Sequence, residues 1–354
     1  KWGASQTGDI ITAPGLWHLD NFGNKLIATI NDGSTFEWNS NATGATSTRA
    51  TAVTSAPTAA KQTLVSTPDR HLVFFGTETT IGTTSTQDAM YIRWSDQEDI
   101  NTYTPTATNT AGTQRIADGT RIVAAIRGRD AIYVWTDNAL FIMRFVGAPF
   151  TFSFQQVGTG CGLIGHLAAV EVDGSAYWMS ENGFFRYTGK LESLPCLVED
   201  YVYDDINTVP RNHICAGLNN LFGEVTWFYP GSGAASNNRS VTYNYMDSTP
   251  ERPVWTTSTL ARSAWQDSSV FGKPHGTEYD ADATSDSTVG NTDGVTTYFE
   301  HETGVNQIKA GASSAIAASI ESGDFDINQE GLGGDGDVIM KIRRILPDFL
   351  QQTG

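Results

Sequence analysis

YVWTDNALFIMRF (Tyr133–Phe145) and AYWMSENGFFRYTG (Ala176–Gly189) are two versions of one plan. Each has an apolar run containing Trp, a polar turn with Asn, and an aromatic run carrying Arg. Short runs of β-branched and aromatic residues favour strands, and Asn, Asp and Gly between them tolerate the positive φ of tight hairpins. Trp135 and Trp178 lie 43 residues apart; Trp94 precedes Trp135 by 41, and Trp227 follows Trp178 by 49. LIATINDGSTFEWNS (Leu26–Ser40) adds an earlier hairpin ending in Trp38. A period of about 40–50 residues with several strands per unit is the signature of a β-propeller.

Working outward, the same grammar fills most of the chain. KLIATI, HLVFF, AMYIRW, RIVAAI, TFSFQQV, EVTWFY, SVTYNY and VTTYFE read as strands, and NDG, RGRD, VDG, YTG, GSG and TDG as the turns between them. The chain has 354 residues, 35 of them Gly, and is 17% charged, below the roughly 25% of ordinary soluble domains. Gly and β-branched Thr are poor helix formers. The one helix candidate is LPCLVEDYVYDDIN, where Leu197 and Tyr201 would form the apolar face and Asp204/Asp205 the acidic one. The expectation is an all-β fold, a propeller-like array of antiparallel hairpin blades over residues 15–304, with five or six blades. After residue 305 the Trp hairpins cease, and 305–354 reads as an appended β-rich segment.

Motifs that carry chemistry appear without their contexts. Gly160, Gly162 and Gly165 spell G-x-G-x-x-G, but HLAAVEVDG follows where a phosphate-binding helix should begin, so the glycines read as a crossing between blades. His301-Glu302 opens a zinc-protease signature whose second His position is Val305. TINDGSTF (Thr29–Phe36) approximates the Asp-box of sialidases, a turn element, with Asn31 in the Asp position. Asp280–Asp286 and the Asp335–Asp337 DGD lack the spacing of a calcium loop, and nothing ties the Asp204/Asp205 pair to a cleft. Cys161, Cys196 and Cys215 are odd in number and widely spaced, reading as reduced thiols. The chain is therefore expected to be no enzyme and to need no cofactor or metal. No apolar run approaches the roughly 18 residues that would span a bilayer.

The formal charge of −17 is concentrated. Between Pro274 and Met340 thirteen carboxylates face Lys309 alone. Such a surface repels phosphate and opposes tight nucleic-acid binding, though not the passage of nucleic acid nearby.

Several stretches resemble the tail nozzle, or packaged-DNA stabilisation, proteins of short-tailed bacteriophages and prophages. They are IRWSDQEDINTYTPT with NTAGTQRI (Ile92–Ile116), VWTDNALFIMRFVGAPFTFSFQQVGTGCGLIG (Val134–Gly165), YWMSENGFFRYTGKLESLPCLVEDYVYDDIN (Tyr177–Asn207), EVTWFYP (Glu224–Pro230), ARSAWQDSSVF (Ala261–Phe271), YFEHETGVN (Tyr298–Asn306) and ESGDFDI through IRRILPDF (Glu321–Phe349). The resemblance keeps its order from about residue 70 onward. It implies a virion protein, assembled in the host cytoplasm, that forms a homomeric ring, sixfold in the family, at the far end of the tail. An adaptor would lie above it, tail fibres or distal proteins would contact it, and double-stranded DNA would pass through without being held tightly. It also implies that the chain is truncated at both ends. Asp280, Asp282, Asp286 and Glu300 are then the first candidates to face the ring lumen. The alternative is a propeller of a fibre or spike that binds or cleaves host-surface glycans; against it, the tryptophans sit within alternating strand patterns, as blade core does.

Overall fold

The computed structural model describes residues 16–280, apart from 68, 269 and 270, together with 295–309 and 312–316. The chain divides into two compact units, residues 1–299 and 300–354. The first is a six-bladed β-propeller of antiparallel sheets.

Each blade is built from consecutive strands in simple up-and-down order. Blade 1 holds β1 (Trp17–Phe22), β2 (Lys25–Ile30), β3 (Thr35–Asn39) and β4 (Thr51–Ala52). Blade 2 holds β5 (Gln62–Val65), β6 (Leu72–Phe75), β7 (Tyr91–Trp94) and β8 (Gly112–Arg115). Blade 3 holds β9 (Ile122–Arg127), β10 (Ile132–Thr136), β11 (Ala139–Gly147) and β12 (Thr151–Thr159). Blade 4 holds β13 (Ala169–Val172), β14 (Ser175–Ser180), β15 (Gly183–Tyr187) and β16 (Leu191–Leu194). Blade 5 holds β17 (Cys215–Asn219), β18 (Glu224–Tyr229), β19 (Arg239–Asn244) and β20 (Trp255–Ser258). Blade 6 shows β21 (Ala264–Gln266), β22 (His275–Asp280) and β23 (Val295–Glu300). In the second unit, β24 (Asn306–Lys309) and β25 (Ala312–Ala315) pair as an antiparallel hairpin.

The second strands of blades 2 and 3 are buried along their whole length, because both of their faces pack against neighbours. On β6, Leu72 and Phe74 pack toward blade 1 with Ile27 and Tyr103, while Val73 and Phe75 pack toward blade 3 with Val134 and Met143. Successive side chains point to opposite faces, so one strand serves two junctions. On β10, likewise, Ile132 and Val134 face blade 2 while Tyr133 and Trp135 join the cluster shared by blades 3, 4 and 5.

The tryptophan repeat is real in three blades. Trp135, Trp178 and Trp227 all sit on second strands, all at 0% exposure. Each stands opposite an alanine of the first strand: Ala124, Ala169 and Ala216 respectively. The small partner leaves room for the indole. Trp135 meets Trp178 edge-on at 5.4 Å across the blade 3–blade 4 junction, and Phe184 meets Trp227 at 4.9 Å across the next. Trp94 and Trp38 break the series. Both lie on third strands, β7 and β3, so their spacing does not mark the same blade position. The Trp94 indole lies over Gly112, where a Cβ would stand 2.3 Å from the ring, and blade 2 fills its second strand with Phe74 and Phe75 instead.

The helix candidate is helical over Glu199–Asp205, here α1. Its apolar face differs from the expected one. Val202 is buried, whereas Leu197 and Tyr201 are 77% and 55% exposed. Tyr203 turns inward instead, donating its hydroxyl to Ser180 O and accepting from the Gly183 N–H.

Candidate functional site

The first strands define the centre of the molecule. β1 meets β5, β5 meets β9, β9 meets β13, β13 meets β17 and β17 meets β21. In a propeller, strands that touch their counterparts in both neighbouring blades lie nearest the axis. Two groups of charged and titratable side chains gather on this inner wall. At one end, the Asp20 carboxylate of β1 accepts the Val65 N–H of β5 at 2.7 Å and pairs with Arg127 of β9, which also donates to Val65 O. One carboxylate thereby staples three blades. Nearer the other end of β1 is His18, and close to it His166, on the linker into β13, and His213, before β17. The Nε2 of His18 and the Nδ1 of His166 are buried without a hydrogen-bond partner. Burial lowers both histidines' pKa values, with the Lys61 backbone partly offsetting it at His18; His166 falls to about 4, its histidine neighbours adding to the effect. Both rings are thus neutral near pH 7.

A second arrangement has the parts of a nucleophilic relay. His71 donates from Nδ1 to Asp69 Oδ2 at 2.6 Å, and its Nε2 lies 3.0 Å from the Thr110 hydroxyl. Access and chemistry both oppose catalysis there. His71 and Asp69 are buried, Phe145 and Phe152 pack on the imidazole, and Thr110 donates its hydroxyl proton to Asp96 at 2.7 Å. The network ties the β5–β6 turn to the long loop before β8. No local pattern reveals it in the sequence, because its members are spread from Ser66 to Thr110.

The motifs singled out in the sequence resolve into structural parts. Gly160 is in the left-handed region at φ 69°. A Cβ on Gly162 would stand 2.2 Å from Asp137 O, and one on Gly165 2.3 Å from Arg211 O. The three glycines let the chain cross from β12 to β13 against neighbouring backbone, and no helix follows them. TINDGSTF forms the β2–β3 turn, where Asp32 (φ 57°) pairs with Lys61 of blade 2 at 2.6 Å and accepts from Gln87 at 2.8 Å. His301-Glu302 lies in a turn after β23. Asp205 pairs with Arg239 at 3.1 Å. Cys161, Cys196 and Cys215 are free thiols; burial raises all three, Cys196 and Cys215 to about 12. Among the described residues no group of three or more His, Cys, Asp or Glu converges as a metal site, and no helix is long and apolar enough to cross a membrane.

Of the acidic candidates, Asp280 ends β22 and exposed Glu300 ends β23. Neither is on a first strand. Asp282 and Asp286, like Asp335–Asp337, lie outside the described residues.

A cleft that the sequence did not reveal lies between blades 1 and 2, with a volume of about 360 Å³. Its walls are the β1–β2 turn, the residues after β3, the β5–β6 turn and the loop after β7, contributing Asn24, Asn39, Asn41, Arg70, Glu98 and Asn101 among others.

No protein-family model matches the chain, and no curated protein matches it in sequence. Solved structures to which it is similar include the AfRom2 CNH domain, 11% identical with a TM-score of 0.43, covering 73% of this chain and 76% of that one. The WD40 domain of SCAP from fission yeast is 9% identical (TM-score 0.39; 82% and 77% covered). BamB from Moraxella catarrhalis is 13% identical (TM-score 0.38; 81% and 83% covered). These are propeller proteins of varied kinds. At such identities and scores they say nothing of function; the architecture rests on this chain's own strand order and register.

Proposed function

We propose that the chain is a structural, non-catalytic subunit of a short-tailed bacteriophage tail, forming with copies of itself the nozzle ring that conducts and retains packaged DNA. One observation carries the reading: the strings that resemble the nozzle family run in order along consecutive structural parts. Ile92–Ile116 covers the second half of blade 2. Val134–Gly165 covers most of blade 3 and its glycine crossing, and Tyr177–Asn207 covers blade 4 from within β14 onward, together with α1. Glu224–Pro230 is β18, Ala261–Phe271 contains β21, and Tyr298–Asn306 leads from β23 to β24.

The chemistry of the acidic stretch suits that role. Duplex DNA carries one negative charge per roughly 1.7 Å, and a basic wall would hold it through released counterions. Carboxylates at the lumen, Asp280, Asp282, Asp286 and Glu300 first among them, would repel the duplex over about 8 Å, the screening length at physiological salt. Each subunit would contact two neighbours through different faces, which closes a ring without free ends. The adaptor would lie above, and fibres or distal proteins alongside. The second reading, a fibre or spike propeller acting on host-surface glycans, draws support in its binding form from the polar cleft between blades 1 and 2.

Imaging of intact particles tests the proposal. The expected result is sixfold density at the distal end of the tail into which this propeller fits. Density for a spike projecting sideways, or an isolated monomer, would overturn it. In particles whose four named carboxylates are replaced by Lys, DNA ejection at low salt is expected to slow; unchanged kinetics would remove the acidic-wall part.

A further inference from the structure

We infer that the cleft between blades 1 and 2 is a binding site for a neutral, hydroxyl-rich ligand, a mono- or oligosaccharide. The inference starts from charge. Lys25 pairs with Glu37 at 2.7 Å and Arg70 with Glu98 at 2.8 Å, so neither cation is left over for a phosphate or carboxylate ligand. The one further carboxylate, Asp99, already accepts from the Asn101 N–H at 2.8 Å and the Thr102 hydroxyl at 2.7 Å, so it is not held ready for a cation. What the cleft offers instead is amide groups. Among the described residues, Asn24 and Asn41 make no hydrogen bond through their side-chain amides. Asn39 and Asn101 use their carbonyls, toward the Asn41 N–H at 3.0 Å and the Ser55 hydroxyl at 3.4 Å, and keep their NH₂ donors. An amide presents a donor and an acceptor side by side, which matches vicinal hydroxyls. Arg70 and Glu98 add a second donor–acceptor pair on the rim.

The backbone beneath that pair is unusual. Arg70 and Glu98 have φ of 50° and 60°, a region that costs a non-glycine residue about 1–3 kcal/mol and clusters at ligand sites. The Glu98 N–H donates to Arg70 O at 3.0 Å, locking the two turns together. Phe22 and Ile100, both buried, supply the apolar part of the lining. The volume of about 360 Å³ is at the small end of ligand clefts, which run from roughly 300 Å³ upward.

The test uses the full chain, titrated calorimetrically and by saturation-transfer NMR with glucose, galactose, N-acetylglucosamine, rhamnose and oligosaccharides released from bacterial lipopolysaccharide. At least one is expected to bind saturably. Arg70→Gly and Asn24→Ala are each expected to weaken that binding about tenfold, the effect of about 1.4 kcal/mol. Arg70→Gly also relieves the left-handed backbone, so its thermal midpoint should not fall, and Asn212→Ala, remote from the cleft, should bind as the unaltered chain does. The inference is overturned by no saturable binding up to about 50 mM, by binding that both cleft variants retain, or by inorganic phosphate occupying the cleft in place of sugar. It stands apart from the nozzle reading: a chain that binds sugar but forms no ring, or the reverse, separates the two.

Discussion

Lowering the pH should weaken the propeller through His166. A histidine whose folded pKa is depressed contributes stability that is complete above the unfolded value. That stability is lost as pH falls below the unfolded value and levels off below the folded one. With 6.5 for the unfolded ring and about 4 for the folded, linkage gives a loss of about 2 kcal/mol between pH 7.5 and pH 5, approaching about 3 kcal/mol once the ring is charged in both states. Burial of His18 acts in the same direction. Acidification also relieves the repulsion of a −17 chain, an opposing effect that a single-site variant shares. The assay is guanidinium unfolding at the two pH values, comparing the chain with His166→Gln. The unaltered chain should lose midpoint at low pH with an unchanged slope, and the variant should lose much less. Equal stability at both pH values, or equal losses in both proteins, would refute the assignment of the proton to this buried ring.

Other expectations follow from packing. Trp178→Ala should cost about 3–5 kcal/mol in urea unfolding, since it opens a large void and deprives Cys161 O of its indole donor, while Trp38→Ala, half-buried on a third strand, should cost less than half as much. Gly162→Ala should destabilise more than Gly160→Ala, because the new methyl meets Asp137 backbone at 2.2 Å, whereas a methyl at Gly160 meets nothing within 4 Å and carries only the strain of its left-handed backbone; thermal melts of the two variants decide this. Cys161 and Cys215 should resist Ellman's reagent in the native chain and react once guanidinium unfolds it; rapid native labelling would contradict their burial and raised pKa values.

Strands and blades were legible because burial on both faces writes continuous apolar runs: Ile132–Thr136 and Leu72–Phe75 could hardly be anything else. Register was harder to read. Trp94 sits at nearly the right spacing yet on the wrong strand, because a glycine opposite an indole solves the same packing problem on a third strand as an alanine does on a second. The face of α1 was misjudged for a related reason: a helix of seven residues turns only twice, so Leu197 before it says little about which side Val202 buries. The Asp69–His71–Thr110 network and the blade 1–blade 2 cleft left no local trace. Each joins turns tens of residues apart, and their polar side chains look in sequence like any solvated loop.

Consecutive pairing within every blade has a consequence for how the molecule is made. Each sheet needs only strands already synthesised, so a blade can close while the next is still on the ribosome, and its exposed face waits for a single successor. The expected order of formation is then accretion from the amino-terminal side. A defect at one junction, such as a methyl at Gly162, should halt growth at blade 4 and leave the earlier blades assembled, so truncated nascent chains ending after β12 and after β16 should differ sharply in protease resistance for that variant.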